Sequence, residues 1–172
     1  GEEAVANITL GARRIKQIVG ELKDFARQKP LELNEEVDLN RVIASAVTLT
    51  SNRIKSAAAD FRVDCAQGLP AFRGNSQRVE QVVINLIVNA CEALSGRPGR
   101  ITVSTRADPA AGHVVLRVSD EGGGMTPDTL ARVRDPFFTT KRESGGTGLG
   151  VAIAARVIEE HQAEQDNQTR AG

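Results

Sequence analysis

The sequence predicts an α+β domain behind a long N-terminal helix. Three observations carry that prediction. Apolar residues recur at helical spacing through residues 2–27, 39–57 and 77–94. Two later segments, Arg100–Arg106 and His113–Asp120, alternate apolar and polar residues as half-buried strands do. The 172 residues are 40% hydrophobic, enough for one core of ordinary size.

Each element follows from local chemistry. Glu2–Arg27 reads as one helix, with Ile8, Gly11, Ile15, Ile18, Leu22 and Phe25 on a heptad-like seam and Arg13, Arg14, Lys16, Glu21 and Lys23 off it. A helix with a single apolar stripe needs a partner, and both its own core and a second helix fit the pattern. Pro30 stops it, and residues 31–40 form a polar connector. Asp38 is suited to cap a second helix, Leu39 to Ala57, with Val42, Ile43, Ala46, Val47 and Leu49 inward. Phe61–Cys65 reads as a short strand, Gln67–Pro70 as a turn and Ala71–Arg73 as a second short strand. Asn75 or Ser76 caps a third helix, Gln77–Leu94, apolar enough to be expected buried. Ser95–Gly99 breaks it, and Asp108–Gly112 closes the following hairpin as a five-residue loop. Thr126–Val133 reads as a short helix, Asp135–Ser144 as loop, and Gly148–Glu160 as a last helix with Val151, Ala154, Val157 and Ile158 inward. The tail from His161 is polar and shows no core pattern.

Composition narrows the function classes. Net charge is formally zero, which argues against a broad footprint for nucleic acid or an anionic membrane. Five Phe with no Tyr or Trp leave few platforms for stacking bases. Cys65 and Cys91 sit in no C-x-x-C pair, and a buried free thiol is the reading for Cys91 on its apolar helix; a reducing compartment fits. No segment is apolar for long enough to cross a bilayer, and no signal peptide is visible. The charged, abrupt start leads to the expectation of a fragment of a longer protein.

Three motifs in one order carry chemistry. Asn85 and Asn89 lie one helical turn apart, so both amides project from one face of an otherwise apolar helix. Left unpaired there, each would cost on the order of 1–3 kcal/mol. Magnesium with phosphate oxygens is one partner, since this hard cation takes oxygen ligands; main-chain carbonyls are another. Asp120 closes a strand and Glu121-Gly122-Gly123-Gly124 follows. Such a carboxylate can accept from an exocyclic amine while bare glycines admit a planar ring, although a plain turn has the same sequence. Gly146-Thr147-Gly148-Leu149-Gly150 opens a helix, where free amides and the positive helix end suit phosphate. It is neither a Walker A loop nor a dinucleotide fingerprint. Between them, Pro136-Phe137-Phe138-Thr139-Thr140-Lys141 reads as a loop anchored by its rings, with Lys141 either reaching a phosphate or solvated.

Taken in order, these residues resemble the ATP-binding catalytic domain of two-component sensor histidine kinases, a Bergerat-type fold shared with gyrase, the Hsp90 chaperone and the MutL mismatch-repair protein. Asn85–Ala90 (NLIVNA) looks like the family's N box, and Asp120–Gly124 (DEGGG) like its first glycine box. Pro136–Lys141 (PFFTTK) looks like the phenylalanine box and Gly146–Gly150 (GTGLG) like the second glycine box. The likeness spans residues 37 to 161, and the short interval between the last two boxes resembles sensor kinases related to nitrogen regulators. Arg13–Arg27 is similar to the second helix of the family's dimerisation and phosphotransfer hairpin.

The resemblance implies a two-layer α/β sandwich, a mixed sheet with helices on one face. It divides the chain into a partial dimerisation helix (1–29), a linker (30–37) and the catalytic domain (38–172). It implies that Asn89 binds Mg2+ with Asn85 assisting, and that Asp120 accepts from the adenine amino group. Gly122 and Gly124 would shape the base pocket; Gly146, Thr147, Gly148, Leu149, Gly150 and Lys141 would meet the phosphates. The implied ligands are ATP and Mg2+. The implied partners are a second copy through the first helix and a response-regulator receiver domain, with no nucleic acid and no membrane contact by this segment. The implied location is the cytoplasm.

Two departures from the family pattern bear on activity. The only histidines, His113 and His161, stand in no phosphoacceptor context. After His161 the sequence reads Gln162-Ala163 instead of two glycines, so the closing strands are expected to be incomplete. The leading expectation is a kinase module that donates the γ-phosphoryl group to a histidine on a helix outside this sequence. The rival is a non-catalytic dimerising module with a vestigial or regulatory nucleotide pocket. A gyrase- or MutL-like ATPase fits less well, because Asn85 stands where those enzymes carry a glutamate base. An anti-sigma kinase also fits less well, because that class lacks the preceding hairpin helix.

Overall fold

The computed structural model describes residues 32–110 and 113–123, together with Val19, Gly20, Leu22, Lys23 and Ala26. Those five residues are helical and exposed, and they include Leu22 of the predicted seam. The continuous part lies in a compact unit that contains Leu31–Met125. Its elements are β1 (Glu35–Val37), α1 (Leu39–Leu49), α2 (Ser51–Ala57), β2 (Asp60–Cys65), β3 (Phe72–Gly74), α3 (Ser76–Leu94), β4 (Arg100–Asp108) and β5 (His113–Asp120).

The fold is α+β with a mixed sheet, as expected. Among the described residues the main sheet has the order β2-β4-β5, with β2 parallel and β5 antiparallel to β4. Alternation along β4 sets its two faces. Ile101, Val103 and Thr105 are buried beneath the helices, while Thr102 and Ser104 are half-exposed on the other side. The register puts Phe61 and Cys65 of β2, and Val114, Leu116 and Val118 of β5, on the helix side with them. Helix α3 packs on this face, and α1 and α2 pack against α3. Val42, Ile43 and Ala46 of α1 meet Val83, Ile87, Ala90, Cys91 and Leu94 of α3 in one aliphatic core. Burying an Ile such as Ile87, fully enclosed, stabilises the fold by roughly 1.5–3 kcal/mol.

Both predicted caps form. Asp38 Oδ1 accepts from the Arg41 N–H at 3.2 Å, and Asn75, rather than Ser76, accepts from Arg78 N–H at 3.1 Å. Helix α3 ends where Ser95 takes the left-handed conformation (φ 49°) and Gly96 follows it (φ 77°).

Three readings differ from the structure. The single helix expected over Leu39–Ala57 is two helices, because Thr50 interrupts it. The buried Thr50 hydroxyl donates to the Ala46 carbonyl at 2.7 Å, and the Thr50 N–H donates to the same oxygen at 3.0 Å. The chain bends there, and Leu49, expected inward, is 65% exposed. Residues read as polar connector contain β1, which pairs antiparallel with β3 through Val37↔Phe72 and buries Val37 completely. The hairpin strand β4 runs to Asp108, paired with His113, so four residues rather than five connect the strands.

A polar knot holds the first turn of α1 to the sheet. Asn40 Nδ2 donates to the Ala66 carbonyl at 2.8 Å, and Asn40 Oδ1 accepts from the buried Thr105 hydroxyl at 2.9 Å. Thr105 Oγ1 in turn accepts from the Ala66 N–H at 3.1 Å, so the hydroxyl is satisfied as donor and acceptor.

Candidate functional site

Four of the expected site residues lie in the described part: Asn85, Asn89, Asp120 and Gly122. Gly124, Lys141, Gly146, Thr147, Gly148, Leu149 and Gly150 lie outside it, as do the predicted helices at Thr126–Val133 and Gly148–Glu160.

Asn85 and Asn89 are both half-buried on α3. They flank the buried stripe of Val83, Ile87, Ala90 and Leu94 on a helix that is buried along that stripe, as expected. Asn85 already engages another group. Ala93 extends the same face by another turn, so Asn85, Asn89 and Ala93 follow one another at intervals of about 6 Å along the axis.

Strand β5 delivers Asp120 to that stripe. Asp120 pairs with Ile101, which is completely buried under the helices, so the register sets Asp120 on the helix side of the sheet although its side chain is exposed. Its Oδ1 accepts from the Gly122 N–H at 2.9 Å, an Asx turn that folds the chain immediately after the strand. That turn lands on α3. A Cβ on Gly122 would lie 2.4 Å from the Ala93 carbonyl oxygen and 2.7 Å from its carbon. Glycine at this position is therefore dictated by the approach of helix main chain, in addition to any ring that the following glycines admit. A Cβ on Gly123, in contrast, would meet none of the described residues within 4 Å.

Two neighbouring groups, not anticipated from sequence, fix the strand ends around the turn. Glu121 N–H donates to the Arg100 carbonyl at 3.1 Å, and Glu121 Oε2 accepts from the Arg100 N–H at 2.9 Å. The Arg100 guanidinium reaches across to Asp60 Oδ2 at 2.8 Å, where Arg62 also binds at 2.9 Å. The hydrogen bond from Arg100, ahead of the Arg62 charge, holds the Asp60 carboxyl below the usual aspartate value. Buried Gly99 completes the junction: a Cβ there would meet Leu94 Cδ2 at 2.6 Å. Burial pushes the Cys91 thiol up, as suits an inert core residue.

The Asp120 turn and the asparagine-bearing helix thus lie side by side. This sets two carboxamide side chains on α3 near a carboxylate at the sheet end. A carboxamide oxygen is of the kind that a magnesium ion keeping most of its waters would take as one of its few protein ligands. Among the described residues no cluster of His, Cys, Asp or Glu competes as a metal site. A separate shallow cavity of about 310 Å³, lined by Asp64, Ser104, Arg106 and Arg117 among others, opens on the face away from the helices and shares no residue with that turn or helix.

Comparison with known proteins shows the family. Residues 74–171 match the family described as histidine kinase-, DNA gyrase B- and HSP90-like ATPase. The sensor histidine kinase ZraS of Klebsiella oxytoca is 35% identical over 161 residues, covering 94% of this chain and 34% of that protein. The chain spans between about a sixth and a third of the length of the curated relatives it matches. Among solved structures, a mycobacterial sensor histidine kinase, MprB, superposes with a TM-score of 0.63 at 30% identity, covering 75% of this chain and 80% of that one. Histidine kinase ThkA, solved in complex with the response regulator TrrA, gives a TM-score of 0.70 at 26% identity, over 92% of this chain and 44% of that one. No helix among the described residues is long and apolar enough to cross a membrane. With its mixed sheet, its asparagine-bearing helix and its glycine turn docked on that helix, the chain belongs to the histidine kinase-, DNA gyrase B- and HSP90-like ATPase family, as an ATP-binding domain of the sensor histidine kinase kind.

Proposed function

We propose that this chain is the Mg-ATP-binding catalytic module of a sensor histidine kinase. It donates the γ-phosphoryl group to a histidine on a helix outside this sequence, for relay to a response-regulator aspartate. The observation that supports this reading best is the docking of the Asp120 turn onto the Asn85–Asn89–Ala93 stripe of α3, which brings the carboxylate and the amides to one wall.

In this reading Asp120 keeps Oδ1 on the Gly122 N–H and offers its other oxygen to the adenine amino group. Asn89, assisted by Asn85, holds the metal beside the phosphates. Bound magnesium supplies charge neutralisation on the transferring group. Gly146, Thr147, Gly148, Leu149 and Gly150 present main-chain amides to the phosphates, with Lys141 as a further cation, and Gly124 leaves room for the base. The protein's contribution to phosphoryl transfer is then positioning and electrostatics, and the nucleophile comes from the partner helix. Residues 1–29 are assigned to dimerisation, 30–37 to a junction and 38–172 to the catalytic domain, in a cytoplasmic setting.

Isothermal titration tests the assignment. Asn89→Ala abolishes magnesium-dependent ATP affinity and leaves the fold intact by circular dichroism; unchanged affinity removes Asn89 from the site.

A further inference from the structure

The β4–β5 ladder ends in an unusual way. The paired register ends at Ile101–Asp120, and beyond it Arg100 and Glu121 still face each other through one main-chain hydrogen bond. In a hydrogen-bonded antiparallel pair the two residues exchange both main-chain hydrogen bonds. Here the Glu121 N–H keeps its bond to the Arg100 carbonyl, but the Arg100 N–H is taken by the Glu121 side-chain carboxylate. The side chain stands in for its own main-chain carbonyl. The peptide after Glu121 is thereby released from the sheet, and the next residue, Gly122, turns against the Ala93 carbonyl.

The surroundings leave little play in this clasp. Arg100 is tied by its guanidinium to Asp60, and the preceding Gly99 carbonyl accepts from Ala59 N–H at 3.0 Å. The Glu121 Cβ sits 3.6 Å from where a Gly99 Cβ would be, so the two strand ends are in close contact at this point. Neither Asn40 nor Thr105, which tie α1 to the sheet, takes part.

We propose that Glu121 is a positioning residue for nucleotide recognition: its carboxylate, clasped on the Arg100 N–H, sets the direction of the Asp120–Gly122 turn and so the aim of the Asp120 carboxylate at the purine. This rests on the reading of Asp120 as the adenine acceptor. Without the clasp, the Arg100 N–H takes the Glu121 carbonyl, the ladder runs one rung further, and the turn rotates off α3. Loss of a hydrogen bond to a charged group lowers adenine-nucleotide affinity about ten-fold. A misaimed acceptor loses adenine and spares guanine, which carries a carbonyl in place of that amine.

The test titrates the 172-residue chain with Mg-ADP and Mg-GDP. The wild type prefers ADP. Glu121→Ala lowers ADP affinity about ten-fold, leaves GDP affinity unchanged and so narrows the ADP:GDP ratio. Glu121→Gln, which keeps an acceptor oxygen at the same reach, restores the ratio; general destabilisation would not be rescued selectively in this way. Should Glu121→Ala fail to fold, Glu121→Asp, a carboxylate one methylene too short for the clasp, gives the same narrowing. Wild-type selectivity in Glu121→Ala or Glu121→Asp, or a Glu121→Gln as weak as Glu121→Ala, overturns the proposal. A wild type that binds no ADP overturns instead the nucleotide reading on which the proposal rests.

Discussion

Replacing Gly122 with alanine puts a methyl group 2.4 Å from the Ala93 carbonyl oxygen, 2.7 Å from its carbon and 2.8 Å from Asp120 Oδ1. Carbon–oxygen contacts settle near roughly 3.4 Å or beyond, so the turn must retreat from α3 by about 1 Å. Neither obstacle can swing away: the first two atoms are helix main chain, and the third holds the Gly122 N–H at 2.9 Å. Overpacking of this kind costs about 1–3 kcal/mol. For a chain of this size that corresponds to a fall in Tm of roughly 2–10 °C. The functional effect is larger in proportion, because a shift of about 1 Å at a positioning group can cost on the order of 100-fold. Gly123→Ala is the internal control, since a Cβ there meets none of the described residues within 4 Å. Thermal denaturation followed by Mg-ATP titration of both variants reads the two effects together. Gly122→Ala is expected to melt earlier and to lose ATP affinity, with Gly123→Ala close to wild type. A Gly122→Ala protein with wild-type melting and wild-type affinity would refute the reasoning that α3 dictates this glycine.

Two further predictions concern stability. Thr105→Val keeps the shape but strands the Asn40 Oδ1 acceptor, costing about 1–3 kcal/mol in urea denaturation while ATP affinity is unchanged. Asp60, whose folded pKa is lowered chiefly by the Arg100 hydrogen bond, binds its proton more weakly in the folded chain than in the unfolded one. Its contribution is therefore present above the ordinary aspartate range of about 4 and is lost as pH falls through the lowered folded value. Asp60→Asn removes this dependence, so its urea midpoint falls less steeply than that of wild type below about pH 4; parallel slopes would remove Asp60 from the account.

Elements with a sustained period were legible in the sequence. Helix α3 shows its buried stripe and its Asn75 cap, and β4 and β5 show clean alternation, because each buries one face against one core. Strand β1 was not legible, since three residues with a single apolar side chain carry no period. The break at Thr50 was hidden because a threonine inside a helical pattern declares its hydroxyl's partner only once the Ala46 carbonyl is in place. The site divides the same way. Asn85 and Asn89 announce themselves as amides on an apolar helix, and Asp120 as an acid at a strand end. That Gly122 must be glycine was visible, but not the cause, which is the carbonyl of Ala93 far back in the chain on α3. Ala93 and Glu121 carry no local signal at all: one is met through its main-chain carbonyl a turn after Asn89, and the other reaches back 21 residues to Arg100.

In the proposed function the α3 stripe and the Asp120 turn form one wall of a nucleotide site. A crystal structure of the chain with Mg-ADP tests it most directly. The account predicts the adenine amino group within hydrogen-bond distance of the Asp120 carboxylate and the Asn89 amide oxygen facing the metal. Nucleotide seated on the opposite face of the sheet, beside Asp64 and Arg117, or bound with Asp120 and Asn89 both out of contact, would contradict it.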